Sequence, residues 1–359
     1  MAVVLQILEF IVALGALAFL HELGHFLGAK LFKIEIEEFG FGFPPRLVKL
    51  FNFGGTEFTL NWIPFGAFVR PKGENDPDIP GSLAAANPWA RLVVLLSGPI
   101  MNIIAGIFIF TLIFNRVGIT DPSIVLIGDV SINSPAASAG LQSGDTIIKV
   151  NDQVIDRSDR LVQIVQQNKG KEITIKFTRA GQEYQIHIVP RVSPPEGQGA
   201  LGITMTNPIV KTSWYKTIPF AGYMAYIYGR EMLLLPAHLL EGSVKPEQAR
   251  MVSPKGIYDM FSQMQTRDQQ ATANNEPPER SVNTLNLMAI ISLALGLTNL
   301  LPIPALDGGK IIFVLPEIIF HKRIPARYEN MVHTIGFISL LALQFYIMIQ
   351  DFINPIVIP

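Results

Sequence analysis

The sequence contains no cysteine among its 359 residues. A disulfide framework is therefore excluded, and any bound metal must be held by histidine and carboxylate groups. An excess of charge of either sign is also missing, because 28 Lys and Arg nearly balance 29 Asp and Glu and leave a net charge of −1. Such a chain lacks the basic surface that nucleic-acid binding requires, so we expect no nucleic-acid partner.

Long apolar runs dominate what is present. Hydrophobic residues make up 49% of the chain. Stretches of about 2–20, 89–114, 284–301 and 331–349 approach or exceed the roughly 20 apolar residues that a membrane-spanning helix needs. The N-terminus has neither a basic region nor a small-residue cleavage site, so the first stretch is predicted to be a retained helix and not a signal peptide. The sequence thus predicts a membrane protein with about four transmembrane helices.

Lysine and arginine are unevenly placed along the chain. None occurs before Lys30 or after Arg327, whereas the loops between the first two spans and between the last two spans are basic. The positive-inside rule places these loops in the cytoplasm and both chain ends outside. The long stretch of about 116–280 is then expected to be extracytoplasmic.

The first span ends in His21-Glu22-Leu23-Gly24-His25, an HExxH motif. Histidines at positions i and i+4 of a helix face the same side, so His21 and His25 can bind one metal ion while Glu22 activates a water molecule. In a soluble protein the motif also arises by chance on surface helices. Inside a membrane span an unpaired charge costs about 3 kcal/mol, which favours the functional interpretation.

A catalytic zinc site needs a third protein ligand and leaves a fourth position for water. The best candidate is Asp307, which follows two prolines in the stretch NLLPIPALDGG. The prolines should break the helix, and non-helical backbone at membrane depth occurs only where protein or a cavity surrounds it. Asp307 is then either a metal ligand or the N-cap of the next helix, and the HExxH motif favours the ligand. The charge distribution places both motifs near the cytoplasmic ends of their spans.

The stretches between the spans carry their own signals. Alternating apolar and polar residues at 34–43 and 56–63 predict a small β-sheet against the membrane. The stretch 121–192 is predicted to form an α+β domain. Residues 214–240 are predicted to form a surface-lying amphipathic helix or, less favoured, a fifth span. Residues 266–281 are predicted to be a flexible loop. The predicted domains are residues 1–118, 119–193, 194–281 and 282–359.

Two asparagines are candidates for contacting a substrate. Asn102 lies four residues after Gly98 and four before Gly106, and these small residues could bring it beside the metal-binding helix. Asn102 and Asn299 are expected to hydrogen-bond either a substrate backbone or the carbonyl oxygen that becomes negative. An edge strand could also pair with an unwound substrate, with a plain structural sheet as an equal alternative. His333 has no partner at metal-ligand spacing and is predicted to be structural.

Four motifs occur in a recognisable order: HELGH, SGPIMN, SPAASAGLQSGD and NLLPIPALDGG. Together they resemble the site-2 protease family of intramembrane zinc metalloproteases, in the bacterial form with one PDZ domain. The resemblance implies one Zn²⁺ per chain, held by His21, His25 and Asp307, with Glu22 as general base. The implied fold is a multi-spanning α-helical membrane protein with a small membrane-associated β-sheet and an inserted extracytoplasmic PDZ (α+β) domain.

The resemblance also implies where a substrate binds. The two asparagines would position it, a hairpin with the segment WIPFGAFV would present it, and the stretch SPAASAGLQSGD, similar to a PDZ carboxylate-binding region, would bind chain ends. The substrate-binding residues expected on this basis are Asn102, Asn299, Phe58, Leu60, Trp62, Gly140 and Leu141.

The expected reaction is hydrolysis of a peptide bond within or near a transmembrane segment. Single-span membrane proteins, such as anti-sigma-factor-like regulators, or remnant signal peptides would be the substrates. The expected location is the bacterial inner membrane, with the chain ends and PDZ domain extracytoplasmic and the active site near the cytoplasmic side. Two alternatives remain: a non-catalytic PDZ scaffold with structural zinc, which the intact Glu22 disfavours, and a membrane-anchored protease for soluble substrates.

Overall fold

The computed structural model describes residues 2–74, 76, 78–245 and 249–356. It contains two compact units: the chain up to Phe114 together with the chain from Trp214 onwards, and the inserted unit Asn115–Ser213. A 3-10 turn covers Pro278–Ser281. In chain order the other elements are α1 (Ala2–Leu31), β1 (Ile36–Phe53), β2 (Thr56–Pro71), α2 (Pro88–Val117), β3 (Ile119–Thr120), β4 (Val125–Val130), α3 (Pro135–Ser138), β5 (Thr146–Val150), β6 (Gln153–Val154), α4 (Ser158–Gln167), β7 (Ile173–Arg179), β8 (Gln182–Ile188), β9 (Ile203–Thr206), β10 (Ile209–Val210), α5 (Trp214–Leu240), α6 (Pro254–Ala273), α7 (Asn283–Leu300), α8 (Asp307–Phe320) and α9 (Ala326–Ile353).

Four helices in the described part of the chain, α1, α2, α7 and α9, are long and apolar enough to cross a membrane. Their outward sides expose large apolar side chains such as Val12, Phe108 and Ile338. Contiguous apolar surface of this kind is rare on soluble monomers and suits a lipid environment. The predicted set of four spans is confirmed, and the chain is a multi-pass membrane protein.

Glycines allow the membrane helices to approach one another closely. A Cβ atom at Gly24 of α1 would overlap the backbone carbonyl of Ser97 in α2. A Cβ atom at Gly296 of α7 would lie 2.8 Å from the Pro99 carbonyl oxygen of α2. Because lipid tails are as apolar as leucine, helices in a membrane associate mainly through such tight packing. Both α1 and α7 therefore pack against α2.

The strands β1 and β2 form a sheet in which each strand pairs more than once. Residues 36–41 lie between two segments of β2, 56–60 and 67–71. The second half of β1, 46–53, pairs with the far side of 56–60. The segment 67–71 is therefore an edge of this sheet. The sheet packs on α1 through a cluster of aromatic side chains that includes Phe26.

The inserted unit is built on a six-stranded antiparallel sheet. Five strands follow the order β8-β7-β5-β4-β9, and β6 pairs with β5. Alternate side chains such as Val125, Ile147 and Ile175 point into a buried core that the helix α4 covers with Leu161. The strand β9 lies beyond residue 193, so the sheet extends past the predicted end of this domain. Sequence reasoning missed it because β9 is only four residues long and follows a loop rich in Gly and Pro.

An ion pair fixes the turn between α3 and β5 in the inserted unit. The carboxylate of Asp145 is fully buried and accepts two hydrogen bonds from Arg179, each 2.7 Å long. The same guanidinium donates to the Gly140 carbonyl oxygen at 2.8 Å. The hydrogen bond to Asp145 raises the pKa of Arg179 above its ordinary value.

Two stretches that follow the inserted unit are helical. Residues 214–240 form the single helix α5, which buries small residues at every fourth position and stacks Tyr228 on Phe110 of α2. The predicted flexible loop at 266–281 is corrected, because α6 continues to Ala273 and the 3-10 turn follows shortly afterwards. The polar composition was misleading here: Asp268 accepts hydrogen bonds from the backbone of Asn283 and Thr284, so these side chains order the stretch.

Replacing Arg179 with Met should destabilise the inserted unit, because the buried Asp145 carboxylate would lose its cationic partner. We expect the free energy of unfolding to fall by clearly more than it would on loss of the exposed pair of Arg157 and Asp159, because the Asp145 carboxylate is buried. Pulse proteolysis of the full-length protein in a urea series measures this quantity. Arg157→Met is the matched control: its ion pair with Asp159 is exposed and 3.8 Å long, so its loss should cost less than about 1 kcal/mol. Equal losses in the two variants would contradict the assigned role of Asp145.

Candidate active site

Three potential metal-ligand atoms converge where α1 meets the start of α8. The Nε2 atoms of His21 and His25 are 3.1 Å apart. The Oδ2 atom of Asp307 lies 3.1 Å from the first and 3.3 Å from the second. Ligand atoms bound to zinc at about 2.0–2.2 Å in tetrahedral geometry are about 3.3–3.6 Å from one another. Among the described residues, His21, His25 and Asp307 form a group that could hold a metal ion. Their nitrogen and oxygen donor atoms, and the distances between these atoms, suit a single zinc ion.

Glu22 lies beside these groups on α1 but points towards the sheet. Its Oε2 atom accepts a hydrogen bond from the backbone N–H of Val69 at 3.0 Å. Val69 belongs to the edge segment 67–71 of β2. The helix α1 thus directs the two imidazoles towards Asp307 and the neighbouring Glu22 carboxylate towards an edge strand.

The helix α2 orients both histidine rings. The Nδ1 atom of His25 is 2.8 Å from the Val94 carbonyl oxygen, which can only accept, so Nδ1 carries the proton and Nε2 is left free for a metal. A Cβ atom at Gly98 would overlap the His25 ring, so glycine is required there. The Asn102 side chain lies behind the other ring, with its Nδ2 atom 3.2 Å from Nδ1 of His21.

Asp307 follows a short break in the helical chain. The break ends with Ala305 at a φ of +76°, and α8 then begins at Asp307. Leu306 occupies the N-cap position and the cap has no side-chain hydrogen bond, so the Asp307 carboxylate faces the histidines and does not cap the helix. Gly308 and Gly309 face the carbonyl oxygens of the break so closely that a Cβ atom on either would overlap them.

The helix α9 holds this break in place. The backbone N–H of Ala305 donates to Nδ1 of His333 at 2.8 Å. One turn further along α9, Gly336 contacts Pro304 so closely that a Cβ atom would overlap it. Sequence reasoning treated His333 as structural without giving it a partner. The hydrogen bond between His333 and Ala305 could not be predicted from motif spacing, because 28 residues separate the two.

The site opens into a cavity of about 440 Å³. The three potential ligands, Glu22 and the two predicted asparagines, Asn102 and Asn299, all line it. The structure thus brings together residues from three distant stretches of sequence. Residues of β2 also line the cavity. Gly66, Ala67, Phe68 and Val69 belong to the segment WIPFGAFV that was expected to present a substrate, and Pro71 lies just beyond it.

The other predicted substrate contacts lie elsewhere. Phe58 stacks between Phe39 and Phe51 at centroid distances of 5.4 and 4.6 Å, and so contributes to packing. Leu60 and Trp62 are 39% and 65% exposed and do not line the cavity.

In the inserted unit, the structure gives the two predicted chain-end contacts different surroundings. Leu141 packs in the core, and together with Gly140 it lines a surface cavity of the inserted unit. Gly140 lies at the surface, where its carbonyl oxygen is engaged by Arg179.

The fold and this cavity define a multi-pass membrane metalloprotease. The chain belongs to peptidase family M50, whose family model matches residues 9–343. It is 30% identical to a protein of Clostridium acetobutylicum named as a zinc metalloprotease, over 96% of this chain and 97% of that one. It is 27% identical to a chloroplast membrane metalloprotease of Arabidopsis thaliana, over 96% of this chain and 78% of that one.

A solved structure is similar to part of the chain. The PDZ domain of an SdrC-like protein from Listeria monocytogenes is 22% identical, with a TM-score of 0.21, and the match covers 25% of this chain and 93% of that one.

Replacing Gly309 with Ala should displace Asp307, because the new Cβ atom would overlap the Ile303 carbonyl oxygen. We expect the zinc content of the purified protein to fall several-fold, as measured by mass spectrometry of the metal. Gly15→Ala is the matched control, since a Cβ atom there has no neighbour within 4 Å. Alanine in that helix interior should be neutral or stabilising by about 0.5–1 kcal/mol. A Gly309→Ala protein with full zinc content would show that this close contact does not position Asp307.

Proposed function

We propose that the protein hydrolyses a peptide bond within or near a transmembrane segment of a membrane protein. The observation that carries this proposal is the convergence of His21, His25 and Asp307 beside Glu22 in one cavity among lipid-facing helices. Zinc held by these three residues would polarise the scissile carbonyl and make a water molecule more acidic. The family implies this metal, and the donor atoms suit it.

In this proposal Glu22 is the general base. Its carboxylate would accept a proton from the attacking water and pass it to the leaving amine. The hydrogen bond from Val69 supports this role, because it holds the carboxylate at the cavity wall next to the metal position. A scaffold with purely structural zinc has no need of such a carboxylate, which makes that alternative weaker.

The edge segment 67–71 of β2 would hold the substrate in extended form. A helical substrate hides its carbonyl groups in hydrogen bonds, and unwinding it within the membrane would leave them unsatisfied. Addition to an edge strand restores backbone hydrogen bonds. This segment supports the role because it is an edge of its sheet and several of its residues line the cavity. Asn299, which also lines the cavity, would hydrogen-bond the substrate backbone.

The charge distribution supports an orientation of the protein in the membrane. The basic loops are assigned to the cytoplasm, so the active site would lie near the cytoplasmic face of a bacterial inner membrane. The chain ends and the inserted unit would be extracytoplasmic. That unit, as a PDZ domain, would bind chain ends of substrates, which we take to be single-span membrane proteins or remnant signal peptides.

Replacing Glu22 with Gln should abolish cleavage and leave the zinc content unchanged, because the amide keeps the shape of the side chain but cannot take up a proton. We expect the rate of cleavage of a single-span substrate to fall by about 100- to 10,000-fold. The measurement combines gel-based cleavage in detergent with metal analysis. Glu9→Gln is the control, as Glu9 is on the same helix outside the cavity. Wild-type activity in Glu22→Gln would rule out the proposed mechanism.

A transmembrane peptide should be cleaved by the purified protein, whereas casein should not. The site lies among lipid-facing helices, which a soluble protein cannot enter. Each substrate is incubated with and without a zinc chelator, and fragments are identified by mass spectrometry. Chelator-sensitive cleavage of casein at a similar rate would favour the membrane-anchored protease for soluble substrates instead.

A further inference from the structure

Asn102 is a buried residue whose two side-chain amide atoms have different surroundings. The residue is 1% exposed on α2. Its Nδ2 atom is 3.2 Å from Nδ1 of His21, while its Oδ1 atom is buried and has no hydrogen-bond partner among the described residues. Its backbone is fixed separately, because the Ser292 hydroxyl of α7 donates to the Asn102 carbonyl oxygen at 2.8 Å. A buried amide oxygen without a donor is rare and calls for an explanation.

The tautomer that a metal requires supplies this explanation. A histidine binds a metal through a nitrogen lone pair, so a His21 ring that binds through Nε2 must carry its proton on Nδ1. That N–H group needs an acceptor behind the ring. An amide nitrogen in this place would be a second donor, whereas rotation of the side-chain amide by half a turn puts the oxygen there. The same rotation moves the oxygen away from the position where it has no donor, and it moves the amide nitrogen into that position.

His25 shows the arrangement that His21 would then share. Its Nδ1 atom faces the Val94 carbonyl oxygen, an acceptor fixed by the backbone of α2. Val94 and Asn102 are eight residues apart, so they lie on one side of the same helix. Among the described residues, the hydrogen-bond partner of His21 Nδ1 is the Asn102 side chain and not a backbone carbonyl, so a side-chain oxygen on α2 would provide the equivalent acceptor.

We propose that Asn102 is a positioning residue for the metal site. Its amide oxygen accepts the Nδ1 proton of His21, which fixes the ring orientation and the tautomer that leaves Nε2 free. This inference rests on the proposed zinc ligands. It replaces the sequence-based expectation that Asn102 binds substrate, and it leaves Asn299 as the asparagine that contacts the substrate.

The test compares Asn102→Leu with Asn102→Asp in the full-length protein in detergent. Leucine fills the same space without an acceptor, and loss of such an outer partner typically weakens metal binding by about 10- to 100-fold. Aspartate retains an acceptor oxygen, so its zinc affinity should stay within a few-fold of wild type. Affinity is measured by competition with a chelator of known strength. The absorption spectrum of the cobalt-substituted protein provides a second readout of ligand geometry.

Asn299→Leu is the matched control, since it alters the other asparagine that lines the cavity. It should reduce cleavage without changing zinc affinity. Unchanged zinc affinity in Asn102→Leu, or an equal loss in the leucine and aspartate variants, would overturn the proposal. If the leucine variant does not fold, Asn102→Ala takes its place, and the thermal midpoint of the zinc-free protein separates a packing defect from weaker metal binding. A wild-type protein that binds no zinc would instead defeat the proposed metal site itself.

Discussion

Polar groups within a membrane must find partners inside the protein, because lipid offers none, and this constraint organises the structure. The helix α8, which begins with Asp307, carries two ion pairs that connect it to neighbouring elements. Arg91 of α2 is buried and contacts Glu317 of α8 at 2.6 Å. Lys310, one turn after Asp307, contacts Glu74 at 2.5 Å. These ion pairs attach α8 to α2 and to the segment after β2, so they stabilise the element that begins with Asp307.

The position of Asp307 depends on backbone packing more than on its own side chain. The break before it is held from one side by Gly308 and Gly309 and from the other by His333 and Gly336 of α9. Each glycine is required because a Cβ atom would overlap neighbouring atoms. The hydrogen bond from Ala305 to His333 satisfies a backbone donor that has left the helix. The proposed ligand set, which comes from two ends of the chain, thus relies on α9, a helix that contributes none of the three residues.

The sequence was sufficient to predict that His21, His25 and Asp307 come together. Helical periodicity puts the two histidines on one face, and the proline-containing break together with the charge distribution predicts Asp307 at a similar depth. The sequence was not sufficient to predict the strand pairing of the sheet, because β1 and β2 each pair more than once. As a result, the segment 67–71 forms an edge of this sheet. Phe58 was therefore expected at the substrate and is found in the packing between sheet and helix. The helical order of 266–273 was also missed, since it depends on side-chain contacts with residues that follow the helix.

The arrangement of Glu22 and the edge strand bears on which substrates the proposed reaction would accept. Val69 donates its N–H group to Glu22, so a substrate strand along 67–71 would lie directly beside the base. The strand can replace the backbone hydrogen bonds of only a few substrate residues, whereas every further residue unwound in lipid leaves groups that cost several kcal/mol each. Segments that already unwind easily, through glycine or proline near the membrane boundary, would reach the strand at the lowest cost. Selectivity in this proposal therefore derives from the local helix stability of the substrate as well as from side-chain recognition.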